Sequence, residues 1–310
     1  MRNPSSAIIS THLRYGRIVQ VNSVVALRMP SELELSHRGR DGSRQHSTNI
    51  PSFGLGVFLC EADGTCKQAC LWALEAGYRM IDTAKAYDNE AEVGQALISS
   101  GLSRDEIFIS TKLRRAEEMG HSQSVAELEA SLQRLKLDAV DLYLIHAPPH
   151  GEEARQAVWR GMEECLEREL TRAIGVSNYG AHHLQHLQSF AKYGPAVNQI
   201  ELNPFLQREE LVQATRDAGA IPMAYSPLAR GQKLDDSTLA QIAEDLGCTP
   251  AQVMIKWCHD QGFITIPKSV DQHRIIENMN ALDLDLSSVS AALEALEEDY
   301  FSGWDPTVDP

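Results

Sequence analysis

From about residue 52 onward the chain alternates between two textures. Short runs rich in β-branched and aromatic residues give way to longer segments in which apolar positions recur every three or four residues. The short runs predict strands at 53–58, 78–83, 107–112, 140–146, 173–177, 197–201, 221–226 and 264–268. Between them, helices with one buried face are predicted at 66–76, 90–99, 124–135, 154–168, 181–193, 209–218, the pair 237–246 and 251–261, and 272–281. A further helix is expected over 287–298, before an irregular tail. Several strands are apolar on both faces, as in Asp141-Leu-Tyr-Leu-Ile-His146, which suits parallel strands covered on both sides. Gly77, Gly219 and Gly247 follow three of the helical stretches, where a left-handed stop belongs.

Eight strand–helix repeats are what a closed parallel barrel requires. The expected fold is therefore α/β: a single (β/α)8 TIM barrel over 32–310, with an N-terminal extension over 1–31 and a C-terminal extra helix and tail. The competing open, doubly wound sheet would carry G-x-G-x-x-G after its first strand. Here Gly54-Leu-Gly56 is followed by Val57-Phe58-Leu59, without the third glycine. Residues 33–44 read either as a hairpin closing the barrel, with an insertion, or as an unpaired stretch.

Charge and composition narrow the partners. The 310 residues carry a net −15, which argues against a nucleic-acid surface built from clustered Lys and Arg. No run approaches the ~18 consecutive apolar residues of a membrane helix. These features predict a cytoplasmic protein, a monomer or weak oligomer acting on a small molecule. Residues 1–31 hold Arg2, Arg14, Arg17 and Arg28 and no acidic residue, so mitochondrial targeting is a second expectation there. The alternatives are a disordered extension or a true start at Met29. Six cysteines include no C-x-x-C pair and read as reduced thiols, with no metal site expected.

In a parallel barrel the reacting groups collect at the C-terminal ends of the strands. Asp82 ends the second predicted strand, Lys112 the third and His146 the fourth, and Tyr87 lies five residues beyond Asp82. A buried charge is costly unless paired or used, so four complementary polar groups on one rim point to chemistry. The ammonium of Lys112, held by Asp82, is expected to lower the Tyr87 pKa from its reference value of ~10. His146 would hydrogen-bond a carbonyl oxygen, and the phenol would supply the proton for its reduction.

Seven segments extend this pattern in order: Gly77-Tyr-Arg-Met-Ile-Asp-Thr-Ala-Lys-Ala-Tyr-Asp-Asn-Glu90, Ser110-Thr-Lys112, Asp141-Leu-Tyr-Leu-Ile-His146, Ile174-Gly-Val-Ser-Asn178, Asn198-Gln199, Ala224-Tyr-Ser-Pro-Leu228 and Ile266-Pro-Lys-Ser269. Together they resemble the aldo-keto reductases, from about residue 50 to 285. The resemblance implies NADPH-dependent reduction of aldehydes or ketones to alcohols, with Asp82, Tyr87, Lys112 and His146 as the catalytic tetrad and Tyr87 as proton donor. It also implies cofactor contacts at Ser177, Asn178 and Gln199 for the carboxamide, and at Tyr225 against the nicotinamide ring. Ser226 and Leu228 would lie by the pyrophosphate, Lys268, Ser269 and Arg274 around the 2′-phosphate, and Asn278 at adenine. The two cations Lys268 and Arg274 independently favour NADP(H) over NAD, because they can make charge-assisted bonds to the extra phosphate.

Departures from the family's pattern concern the substrate side. Phe58, Arg114 and Ala147 stand where tryptophan is common, so the expected substrate contacts are Phe58, His146 and Arg114 in a less aromatic pocket. The fourth helix ends in Glu167-Arg-Glu-Leu-Thr-Arg172 without its usual glycine, at an expected cost of ~1 kcal/mol. An alternative function is an NADP(H)-sensing regulatory subunit on the same barrel; a third is an unrelated barrel lyase or isomerase.

Other motifs read more simply. Gly175-Val-Ser-Asn-Tyr-Gly180 has one residue too many for a hydrolase G-x-S-x-G. His182-His-Leu-Gln-His186 lacks the glutamate of a zinc protease helix. Trp72, Trp159 and Trp257 are expected to pack against the barrel wall, while Trp304, in the tail, could reach the barrel mouth and touch substrate.

Overall fold

The computed structural model of the chain describes residues 30–38, 44–114 and 120–309. The expectations for residues 1–29, including a start at Met29, lie outside the described residues, as do positions 39–43 of the anticipated hairpin. Eight parallel strands form one sheet: β3 (Leu55–Gly56), β4 (Met80–Asp82), β5 (Phe108–Leu113), β6 (Val140–Ile145), β7 (Thr171–Ser177), β8 (Val197–Glu201), β9 (Ile221–Tyr225) and β10 (Ile264–Thr265). Each pairs with the next in sequence, and the ring closes where Phe53 bridges Thr265 in parallel. Three backbone bonds hold this seam: Thr265 N–H to Ser52 O at 2.9 Å, Gly54 N–H to Thr265 O at 3.0 Å, and Gly56 N–H to Pro267 O at 3.0 Å. The expected barrel is therefore the observed one.

The period of two along each strand decides what faces the axis. Met80, Phe108, Leu142, Leu144, Ala173, Val197 and Met223 pack inside the barrel. The intervening Ile81, Ile109, Tyr143, Ile145, Ile174 and Val176 pack outward against the helices. Following the same parity upward, Asp82, Lys112 and His146 inherit the inward side at the C-terminal ends. Gly175 also lies on this inward side, where a Cβ would come 2.6 Å from Val197 O and 2.8 Å from Leu144 Cδ2. Only glycine fits that closely packed axis.

The opposite end is plugged. Strands β1 (Glu32–Arg38) and β2 (Arg44–Pro51) pair antiparallel, with Leu33 opposite Ile50. Leu35 and Ile50, almost fully buried, join the interior cluster beneath Met80 and Phe108. The hairpin thus pairs, across a wider span than 33–44.

Ten helices surround the ring among the described residues: α1 (Thr65–Glu75), α2 (Glu90–Ser100), α3 (His121–Leu135), α4 (Glu152–Glu167), α5 (Ala181–Phe190), α6 (Glu209–Asp217), α7 (Ser237–Leu246), α8 (Pro250–Asp260), α9 (Gln272–Asn280) and α10 (Ser290–Glu294). Gly77, Gly219 and Gly247 adopt φ of 99°, 82° and 66°, as helix stops do. After α4 the same left-handed position falls to Glu169, at φ 58°. Trp159 and Trp257 are buried in the outer layer, and Trp72 packs against it.

Three expected lengths are corrected. The first strand, expected over 53–58, is a regular strand only at Leu55–Gly56: Phe53 makes a single bridge to Thr265, the Val57 N–H makes a last bond to Asp82 O, and Phe58 has left the ladder. The last, expected over 264–268, stops at Thr265, two residues before a proline that has no N–H to offer. The final helix, expected over 287–298, is only Ser290–Glu294, since the amides of Glu298 and Tyr300 bond to Phe205 O and draw the chain away. All six cysteines are free thiols. No helix among the described residues is long and apolar enough to cross a membrane.

Candidate active site

The tetrad assembles on the open end of the barrel. Asp82 Oδ2 accepts a hydrogen bond from Lys112 Nζ at 2.6 Å, while its Oδ1 accepts from Ser110 Oγ at 2.5 Å and Gln199 Nε2 at 3.0 Å. Lys112 is fully buried, and its ammonium also reaches Thr83 O at 3.0 Å and the Tyr87 hydroxyl at 3.3 Å. An ammonium has three protons, and all three are committed. Because the Tyr87 oxygen accepts one of them, the phenol's own proton is left to point elsewhere. The His146 ring meets the Tyr87 ring edge-on, 5.5 Å between centroids at 77°. His146 is fixed through its backbone: its N–H bonds to Leu113 O (3.1 Å) and its carbonyl accepts from Asn178 Nδ2 (2.9 Å).

Burial governs the protonation states. It works to discharge Lys112, but the Asp82 carboxylate and the Tyr87 oxygen outweigh it and hold the ammonium charged. Burial, aided by the charge of Lys112, pushes His146 down to about 3, leaving a neutral imidazole with one N–H to donate. For Tyr87 the expectation of a lowered pKa is corrected. Desolvation, the largest influence, raises it; Lys112 pulls it down, the Asp82 charge works against Lys112, and the net shift is upward. The phenol therefore stays protonated, which is the state a proton donor needs.

The tetrad opens into a cleft of about 660 Å³. Asp82, Tyr87, His146, Phe58, Ser177, Asn178, Gln199, Tyr225, Ser226, Leu228, Lys268, Ser269, Arg274 and Asn278 all line it. Lys112 stands behind Asp82 and Tyr87. Arg114 is exposed at the end of β5 and is not among the lining residues. Trp304 does line the cleft, so the tail reaches the mouth as the sequence allowed. The polar wall is self-consistent: Ser177 Oγ donates to Gln199 O, and Asn178 Oδ1 accepts from the Tyr225 hydroxyl at 2.9 Å. Asn178 holds this place at φ 63°, in the left-handed region that asparagine tolerates.

Two residues escaped the sequence reading. Asn89, fully buried, donates to Val57 O and Cys60 O and accepts from Thr83 Oγ1, tying the Phe58 segment to the turn that carries Tyr87. It lies inside the Tyr-Asp-Asn-Glu90 segment, but its partners are too distant in sequence to be read there. Arg230 also lines the cleft, two residues after Leu228. The histidine run on α5 has ordinary duties: His182 Nε2 meets Asp309 O, His183 Nδ1 accepts from Gly180 N–H, and His186 faces Glu152.

A parallel barrel with a buried ammonium–carboxylate pair behind a protonated phenol at its mouth is built for acid-assisted chemistry on a small molecule. Residues 65–297 match the profile of the Aldo/keto reductase family. The chain is 40% identical to glyoxal reductase of Bacillus subtilis, over 90% of this chain and 98% of that one. It is 44% identical to an aldo-keto reductase of Mycolicibacterium vanbaalenii, over 80% and 89%. Among solved structures, an aldo-keto reductase of Bombyx mori in complex with NADP superposes with a TM-score of 0.77 at 33% identity, covering 89% of this chain and 95% of that one. The chain belongs to the aldo/keto reductase family and is an oxidoreductase of carbonyl compounds.

Proposed function

We propose that the protein reduces aldehydes or ketones to alcohols with NADPH, and that Tyr87 gives the proton. The observation that carries this reading is the three-way commitment of Lys112, which joins Asp82 to Tyr87 and leaves the phenolic proton free.

The cleft's donor set suits a dinucleotide phosphorylated on its adenosine ribose. Amide and hydroxyl groups of Ser177, Asn178 and Gln199 lie near the tetrad with the Tyr225 ring. Lys268 and Arg274 lie in the same cleft, with Arg274 on the first turn of α9. Bound there, NADPH would supply the hydride. The chain's part is then to hold the carbonyl oxygen between the Tyr87 hydroxyl and the neutral imidazole N–H of His146. As negative charge grows on that oxygen, both donors stabilise it. The proton passes from Tyr87 because an alkoxide is about as basic as hydroxide, whose conjugate acid has a pKa of ~15.7. A raised phenol pKa therefore does not prevent the transfer.

Phe58, Leu59 and Trp304 form an apolar rim, and the Bacillus subtilis relative is named for glyoxal; small aldehydes and dicarbonyls are thus the first substrates to try. The test is NADPH consumption against a panel of aldehydes and ketones, with NADH in parallel. Turnover with NADPH is expected. A folded protein that binds NADPH but reduces nothing in the panel would overturn the reading in favour of a nucleotide sensor.

A further inference from the structure

Two arginines stand near the mouth, and they are used very differently. Arg208 is held within the protein: it pairs with Asp305 at 2.8 Å, donates to Thr307 Oγ1 and covers the Phe301 ring. Arg230 lines the cleft and is exposed, and among the described residues no carboxylate lies within ion-pair distance of it. Its guanidinium sits over the Phe58 ring, 5.8 Å from the centroid, and that ring in turn lies 5.1 Å from the ring of Tyr87. The cation is therefore one aromatic ring away from the proton donor. Room is kept for it: a Cβ on Gly303 would fall 2.8 Å from Arg230 Nη2. Glu201, a carboxylate that feels its charge, is buried and accepts from Ser302 N–H.

We propose that Arg230 recognises a carboxylate on the substrate, so that the enzyme selects carbonyl compounds bearing an acidic group a short chain away from the reacting carbon. This rests on the reductase reading above. A planar guanidinium binds a carboxylate through two parallel hydrogen bonds, and Phe58 holds the fork in plane while shielding one face from water. A neutral aldehyde gains nothing from that contact. In a chain of net −15, a cation at the mouth beside Phe58 and Tyr87 is also a feature that can draw in an anion at that end of the cleft. The pyrophosphate of the dinucleotide offers the same kind of oxygens, so the test must separate the two sources.

The experiment compares kcat/KM for 4-oxobutanoate with butanal, and for 5-oxopentanoate with pentanal, in the wild-type enzyme and in Arg230→Met. NADPH affinity is read in parallel from tryptophan fluorescence. The wild type should favour the oxo acids by about 10- to 100-fold, mostly through KM, as expected for hydrogen bonds to a charged group. Arg230→Met should erase that preference, leave butanal and NADPH within about threefold, and Arg230→Lys should restore part of it. Equal use of charged and neutral aldehydes by the wild type would overturn the proposal. So would a loss of NADPH affinity with equal losses for all substrates, which would assign the guanidinium to the pyrophosphate. If no carbonyl is reduced at all, the reductase reading fails, and the anion site is judged separately. Succinate should then perturb Trp304 fluorescence in the wild type and not in Arg230→Met, and an identical response of the two proteins would refute it.

Discussion

Each end of the barrel holds a desolvated histidine, buried at the closed end and partly exposed at the open one, and the pair shows how desolvation serves two purposes. At the closed end, His37 is almost fully buried, and burial brings it down to about 4. Both its ring nitrogens are spent: Nδ1–H donates to Gly194 O at 2.8 Å and Nε2 accepts from Ile174 N–H at 3.2 Å. At the open end, His146 is also neutral, but among the described residues its hydrogen bonds are made by its backbone. The ring is thus left for a ligand. Desolvation alone does not mark a functional histidine; what separates them is whether the nitrogens already have partners. The same division runs through the charges. Apolar Leu35, Ile50 and Phe108 fill the closed end, whereas the open end keeps a buried ion pair whose geometry is held by Ser110, Thr83 and Gln199.

The sharpest break of this contrast is Tyr87→Phe. It should cut kcat by about 10²–10⁴-fold, the usual worth of a positioned proton donor, while Tm and NADPH affinity stay near wild type. Leu35→Ala makes the reciprocal cut. It should cost about 2–5 kcal/mol in chemical denaturation with kcat unchanged, and a large fall in kcat would show that the plug also shapes the mouth.

Acidification tests both ends together. The folded protein refuses protons at His37 and His146 that the unfolded chain accepts below about 6.5. The unfolded state therefore binds more protons as pH falls from about 6.5 toward 4, and stability drops across that window by up to about 1.4 kcal/mol per unit for each histidine. Tm measured from pH 7.5 to 4.5 should show this decline, and His37→Gln should make it shallower.

At the cofactor end of the cleft, Arg274→Ala should weaken NADPH binding by about 1.5–3 kcal/mol and leave NADH nearly untouched. Equal losses for the two nucleotides would misplace the 2′-phosphate site. The smallest effect belongs to the outer layer. Glu169→Gly, at φ 58°, should raise stability by about 0.5–1 kcal/mol without changing turnover.

The barrel was legible because its strands and helices have different periods, and because Asp82, Lys112 and His146 end strands that are otherwise apolar. Parity then placed all three on one rim without any knowledge of distances. What stayed hidden depended on partners far away in the chain. Residues 53–58 and 264–268 look like full strands, yet they meet each other across more than 200 residues, at a seam only a few residues long. Residues 287–298 have helical texture, but Phe205 takes the amides that would have continued the helix. The direction of the Tyr87 shift could not be read either, because it is set mainly by burial, which depends on the fold, with the Asp82 charge opposing that of Lys112. Asn89 lay within a recognised segment, but its role depended on Val57 and Cys60, and Arg230 stood outside every segment.

The seam at Phe53 and Thr265 joins the beginning of the ring to its end. Gly56 and Phe58 line the cleft next to Lys268 and Ser269, and the Gly56 N–H to Pro267 O bond joins the two segments, so that part of the wall exists only after the last strand is in place. A nascent chain that has not yet released residues 264–269 lacks that wall. Closure of the ring and completion of the cleft are therefore one event.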